Sequence, residues 1–317
     1  MKYVPSLEPC FSPMALKLKE FKEKGTVPFA ICVERNKGYR YRYDILVMPG
    51  KNAENEEMIE RLIKSILWVV GGYKIYLGGN DELVKAMQEV FSTNGSRKFD
   101  VDFMANVYDK PFEVIGCAYE EVPTSVEASL PAGGNLDGCR IGFDAGGSDR
   151  KVSAVIDGKV VYSEEVVWFP KVNSDPEYHY AGILDSFKRA ASKMPRVDAI
   201  GVSSAGIYID NEVRVASLFI KVNPDDFNRV VRKMYINCAK EIGDVPLEVA
   251  NDGDVTALAG AMELNDGCVL GIAMGTSEAA GYINKDGNLN GWLSELAFVP
   301  VDYNKGAMVD EWSGDYG

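Results

Sequence analysis

Histidine is almost missing from this chain of 317 residues: His179 is the only one, and there is no Cys-x-x-Cys pair. Zinc centres and Ser-His-Asp triads need more imidazole or paired sulfur than that, so neither is expected. The cysteines (10, 32, 117, 139, 238 and 268) stand singly. They read as small buried hydrophobes in a reducing compartment, which points to a cytoplasmic protein. Long apolar runs are also lacking: none reaches the roughly 18 residues that cross a bilayer. The start, Met1-Lys2-Tyr3-Val4-Pro5, has no signal-peptide core, so no membrane partner is expected. Basic patches are missing too. The formal charge is −13, and the densest positive run, Lys17 to Lys24, is interrupted by Glu20 and Glu23. Such a surface repels phosphate backbones, so no nucleic-acid partner is expected. Chemistry must then rest on carboxylates, hydroxyls, backbone amides and a bound divalent ion.

The length exceeds what one hydrophobic core usually serves, and an ordinary apolar content argues against disorder. The reading divides the chain into an N-terminal segment (1–24), an α/β domain (25–120), a linker (121–138) rich in turn formers, and a second domain (139–317). In the first domain, Phe29 to Glu34 and Tyr39 to Val47 pair across Asn36-Lys37-Gly38. Met58, Ile59, Leu62, Ile63 and Ile66 line a helix, Lys74 to Leu77 form a strand, and Asn80 caps the next helix. Phe112 to Ala118 are the last strand.

In the second domain, Arg140 to Asp144 read as a strand, followed by the turn Ala145-Gly146-Gly147-Ser148. Strands Lys151 to Ile156 and Lys159 to Glu164 flank Asp157-Gly158. A helix bears Ile183, Leu184 and Phe187. Then come strand Val197 to Val202, a helix from Asn223-Pro224 with Phe227, Val230, Val231, Met234 and Cys238 on one face, and strand Leu247 to Ala250. A helix from Val255 to Leu264, strand Cys268 to Ala273 and a hairpin turn over Tyr282 to Gly287 complete it. A β-meander followed by alternating helices and strands predicts a layered α/β unit. Asp175-Pro176 marks a turn, which places His179 in a surface loop, with pocket lining as the alternative.

Four segments set small or acidic residues at the carboxyl ends of predicted strands, where α/β sheets bind ligands. Asp144 with Gly146, Gly147 and Ser148 suits an anion, with magnesium held near Asp144 through water; a plain hairpin turn reads equally well. Gly275, Thr276 and Ser277 offer amides and hydroxyls to a second phosphate. Asp252, after Asn251, is placed to accept a proton from a bound hydroxyl, or simply to cap a helix. Glu295 can accept hydrogen bonds from a polyol, or be a solvated surface acid.

In this order the motifs resemble those of the ROK family of sugar kinases and sugar-responsive regulators, over residues 139 to about 302. The resemblance implies a ribonuclease H-like (actin-like ATPase) fold and ATP-dependent transfer of phosphate to a sugar hydroxyl, with magnesium. Asp252 would be the catalytic base. Asp144, Gly146, Gly147, Ser148, Gly275, Thr276 and Ser277 would hold the nucleotide, and Gly206, Asn251 and Glu295 the sugar. Partners would be a sugar and a nucleotide, with homo-oligomers left open. Departures are plain: Phe298 replaces the family's zinc-ligand histidine, Ser277 and Glu278 crowd the second phosphate turn, and the adenosine segment and closing helix are not reached. A non-catalytic sugar-binding regulator and an ATPase without a small-molecule acceptor remain as alternatives. The first domain resembles half of an actin-like lobe, degenerate or permuted, with Gly78-Gly79 similar to the family's adenosine-side glycine pair; an unrelated α/β domain is the other option.

Overall fold

The computed structural model describes residues 4–131, 133–274, 278–309 and 312–313. The chain forms two compact units, Met1–Ala128 with Gly291–Gly317, and Ser129–Asn290.

The first unit runs α1 (Met14–Lys24), β1 (Val27–Glu34), β2 (Arg40–Val47), α2 (Asn52–Val70), β3 (Lys74–Gly78), α3 (Asp81–Val90), α4 (Lys98–Tyr108) and β4 (Glu113–Cys117). Its four-stranded sheet has the order β2-β1-β3-β4. β1 is antiparallel to both neighbours, and β3 and β4 are parallel. Phe29 to Val33 are wholly buried, which is why this strand is a continuous apolar run instead of an alternating one. The Asn80 side chain accepts from the Leu83 N–H at 3.0 Å, capping α3. Inside this core, Lys64 and Asp100, both at 0% exposure, pair at 3.0 Å. The Trp68 indole N–H donates to the same Asp100 oxygen at 2.6 Å.

These boundaries correct the sequence reading in three places. Residues 1–24 are no separate segment: the Met14 N–H donates to the Val301 carbonyl at 2.9 Å, and Met14 and Phe21 are buried. The expected linker contributes its first part, through Ala128, to the first unit. The tail from Gly291 also belongs there. Ser294 and Glu295 donate their N–H groups to the Val69 and Trp68 carbonyls at 2.9 and 3.0 Å. Phe298 stacks on Trp68 with ring centroids 4.2 Å apart.

The second unit opens with a meander of β5 (Cys139–Ala145), β6 (Asp149–Ile156) and β7 (Lys159–Val167). α5 (Pro176–Ala191), β8 (Ala199–Ser204), β9 (Ile207–Ile209) and β10 (Glu212–Val215) follow. A single turn, α6 (Pro224–Asp226), leads to α7 (Met234–Ile242), β11 (Leu247–Ala250), α8 (Asp252–Leu264), β12 (Val269–Met274) and β13 (Glu278–Ile283). The main sheet has the order β11-β8-β5-β6-β7. The β5–β6 and β6–β7 pairs are antiparallel, while β5–β8 and β8–β11 are parallel. That order and those directions define a ribonuclease H-like sheet. Ile141, Phe143, Ile183, Phe187, Val202, Phe219 and Tyr235 fill the core on its helical side.

Two local expectations change. The helix expected from Pro224 to Cys238 is interrupted, because Phe227–Val231 winds as a π-helix in which the Arg232 N–H reaches the Phe227 carbonyl at 2.9 Å. His179 is buried on α5 at 0% exposure, not on a surface loop. Asp175-Pro176 is the N-cap and first residue of that helix, so the turn signal marks a helix start. Among the described residues, no helix is long and apolar enough to cross a membrane. All six cysteines are free; burial pushes the Cys32 and Cys238 thiols up to about 12, whereas Cys10 and Cys268 are exposed, contrary to the expected burial.

Candidate functional site

The carboxyl ends of β5, β8 and β11 stand level. Asp144 is in register with Ser203, and Ser203 with Ala250. Beyond Ala250 the chain reaches Asn251, the N-cap of α8. Its side-chain oxygen accepts from the Gly253 N–H at 2.7 Å, and its amide donates to the Gly206 carbonyl at 2.8 Å. One side chain thus ties the start of α8 to the loop after β8. Gly206 has φ +130°, and a Cβ there would collide with the Val215 carbonyl, so only glycine lets the loop pass at this point.

Asp252 begins α8 and is half-buried. Burial, and to a smaller degree the Asp144 carboxylate, push its carboxyl above the ordinary range, against N–H donors of its own helix turn. The two acids therefore stand within electrostatic reach of each other, though far apart in sequence. Among the described residues, Asp144 makes no side-chain hydrogen bond or ion pair. A half-buried carboxylate left open beside a second one suits a hydrated magnesium ion, which is commonly held by one or two carboxylates and water.

α8 is held in place with unusual closeness. A Cβ on Gly271 would run into the Ala257 backbone, and one on Gly281 into that of Asp254, so β12 and β13 lie directly against the helix. The helix bearing Asp252 and this hairpin form a single seam.

Gly146 and Gly147 form the turn between β5 and β6, and Gly147 and Ser148 are exposed. The Trp168 indole N–H donates to the Gly146 carbonyl at 2.8 Å, and its backbone N–H to the Ser148 carbonyl at 3.1 Å. The Ser148 hydroxyl donates to Asp149 at 2.9 Å, instead of standing free for a ligand as the sequence suggests. Asp149 also pairs with Lys151 at 2.8 Å. Two phenols lie beneath the loop after β8: the Tyr208 and Tyr235 hydroxyls meet the buried Ser204 hydroxyl at 2.7 and 3.1 Å. Burial pushes both phenols up, and they carry no charge at neutral pH. Sequence reasoning missed both, because a single tyrosine inside a strand (Tyr208 in β9) or a helix (Tyr235 in α7) carries no motif.

Three predicted residues, Gly275, Thr276 and Ser277, lie outside the described residues. Glu295 belongs to the first unit, so the constellation described here consists of Asp144, the glycine turn, Gly206, Asn251 and Asp252. Along the same sheet runs a cavity of about 760 Å³, walled by Gly142, Gly201, Ser203, Ala250 and Leu258. Of the predicted site residues, only Asp144 borders it. Gly78 and Gly79 are explained by packing: a Cβ on Gly78 would press on Val122 at 2.7 Å and on the Ala118 carbonyl at 2.8 Å, and one on Gly79 would strike the Pro28 carbonyl.

No protein-family model and no curated protein matches the sequence. The chain is similar to solved structures of two ROK proteins and of a glucokinase. One is a ROK hexokinase from Thermus thermophilus, 18% identical over 56% of this chain and 57% of that one, with a TM-score of 0.41. Another is a ROK-family transcriptional regulator, a homologue of the E. coli MLC protein, 17% identical over 58% of this chain and 46% of that one, TM-score 0.41. A third is a glucokinase from Parabacteroides distasonis, 20% identical over 49% and 46%, TM-score 0.38. The chain spans about half the length of these structures.

Proposed function

We propose that the second unit is the phosphoryl-transfer lobe of an ATP-dependent kinase whose acceptor is a sugar hydroxyl. The observation that carries this reading is the placement of Asp144 and Asp252 at the level carboxyl ends of the parallel strands β5 and β11, within electrostatic reach of each other, with Asp252 half-buried. A general base works best when its pKa approaches the working pH, and partial burial moves Asp252 in that direction. Asp252 would take the proton of the bound hydroxyl, and Asn251 would keep the acid on station through Gly206 and Gly253. The glycine turn offers backbone amides to the phosphates, and Asp144 would hold magnesium through water. When bound, magnesium supplies charge compensation to the polyphosphate, so the protein's own share is positioning and electrostatics. Gly275, Thr276 and Ser277 as a second phosphate turn, and Glu295 as a sugar ligand, enter this reading through the family resemblance alone.

A second reading, a sugar-binding regulator without turnover, is favoured by one residue. Glu278 is exposed at the first position of β13, opposite Met274, and adds negative charge where a polyanion would sit. A panel of hexoses and amino sugars with ATP and magnesium, run beside Asp252→Asn, separates the two. Sugar phosphate that disappears in the variant supports the kinase. Sugar binding with no product supports the regulator, and ATP hydrolysis that ignores sugar would refute both.

A further inference from the structure

The side chain of Lys171 lies over the glycine turn. A Cβ built on Gly147 would meet its Cε at 3.2 Å and its Nζ at 3.4 Å, so the absence of a side chain at 147 leaves the place that the end of the lysine occupies. Lys171 is exposed and, among the described residues, makes no ion pair and no side-chain hydrogen bond. Lys151, on β6 just after the glycine turn, is neutralised by Asp149 at 2.8 Å. Of these two lysines, Lys171 is the one with no carboxylate partner among the described residues.

Its position is built, not incidental. Trp168, at 1% exposure, is bound to the turn through the Gly146 and Ser148 carbonyls. Lys171 follows three residues later in the single turn Pro170–Val172. From the other side, the buried His179 ring places Nε2 3.0 Å from the Pro170 carbonyl and Nδ1 3.0 Å from the Asp175 carbonyl. The lysine-bearing turn is therefore clamped between the glycine hairpin and α5, and the chain's only histidine serves as one jaw.

We propose that Lys171 binds the polyphosphate of the nucleotide at the Gly146-Gly147 turn, as a cation that complements the backbone amides there. This rests on the nucleotide-dependent reading above. An ammonium laid over a glycine turn, with Gly147 exposed, suits a polyanion, and charge-assisted contacts of this kind are the strong ones.

The test is calorimetric titration of the full chain with MgATP, for wild type, Lys171→Gln, Lys171→Arg and Lys193→Gln, with thermal melts of each. Lys193 is a control lysine over the Tyr162 ring, outside the site. Lys171→Gln is expected to bind MgATP roughly tenfold more weakly and with a shallower salt dependence. Lys171→Arg should keep most of the affinity, and Lys193→Gln all of it. Because Lys171 is exposed, melting temperatures should stay within the small range of surface substitutions. Wild-type binding that Lys171→Gln leaves unchanged, or weakens no more than Lys193→Gln does, overturns the assignment and leaves the kinase reading standing. A wild type that binds no MgATP overturns both.

Discussion

The two sheets of this chain are the same arrangement with and without one strand. In the second unit the order is β11-β8-β5-β6-β7, with β5 antiparallel to β6 and parallel to β8. Deleting β5 from that pattern would bring the hairpin directly against β8, antiparallel to it. The first unit has that arrangement: a hairpin, β1 with β2, whose first strand is antiparallel to β3, followed by β4 parallel to β3. The strand it lacks is the counterpart of β5, which carries Asp144 near its end and leads into the glycine turn. The first unit keeps only the outer hairpin turn, at Asn36–Gly38, and spends its buried charge on the Lys64–Asp100 pair inside the core. An α/β sheet can keep its packing after losing a strand, but here the strand that differs is the one on which the proposed chemistry depends.

Substitutions can break or sharpen this contrast. The largest expected effect is on turnover: Asp252→Asn should lower sugar-kinase kcat by a factor on the order of 10³, read as product formation. The same variant should melt higher. An acid whose pKa is raised on folding opposes the fold once ionised, and this cost grows as pH climbs from the unfolded pKa through the higher folded value. Asp252→Asn should therefore be more stable at neutral pH, with the gain shrinking at pH low enough to protonate the acid, measured by urea unfolding. In the first unit, Asp100→Ala leaves a buried ammonium alone and should cost about 3–5 kcal/mol. Equal losses of stability from Asp100→Ala and Asp144→Ala would dissolve the contrast between a structural and a functional acid. Gly271→Ala should cost about 1–3 kcal/mol by wedging α8 away from β12, with a fall in kcat at little change in ATP affinity. Asn251→Ala is the smallest of the series, at about 1 kcal/mol in stability for a lost N-cap, with its clearest sign again in kcat.

Local signals were legible in the sequence, and long-range ones were not. β11 falls on Leu247–Ala250 as expected, and Asn80 caps α3 as expected, because strand ends and caps are set by neighbouring residues. α4 leaves no helical period in the sequence: Phe99, Val101 and Phe103 alternate with Asp100 and Asp102, a strand-like pattern, while in the fold Trp68 and Lys64 bind Asp100. Nothing local assigns the tail from Gly291 to the first unit, because the backbone bonds from Ser294 and Glu295 to the end of α2 span more than two hundred residues. Within the site, Asp144 and Asp252 could be named from strand ends alone, but their nearness is a product of register. The Ser204 hydroxyl cluster and the lysine over Gly147 depend on tertiary approach and leave no periodic trace.

The glycine seam between α8 and its hairpin constrains how this protein can change. Where two backbones touch with no side chain between them, there is no graded series of sizes for selection to explore; the first methyl group already pries the elements apart. Variation in substrate preference would thus have to arise in loops that border the acid, since the platform beneath it tolerates almost no drift.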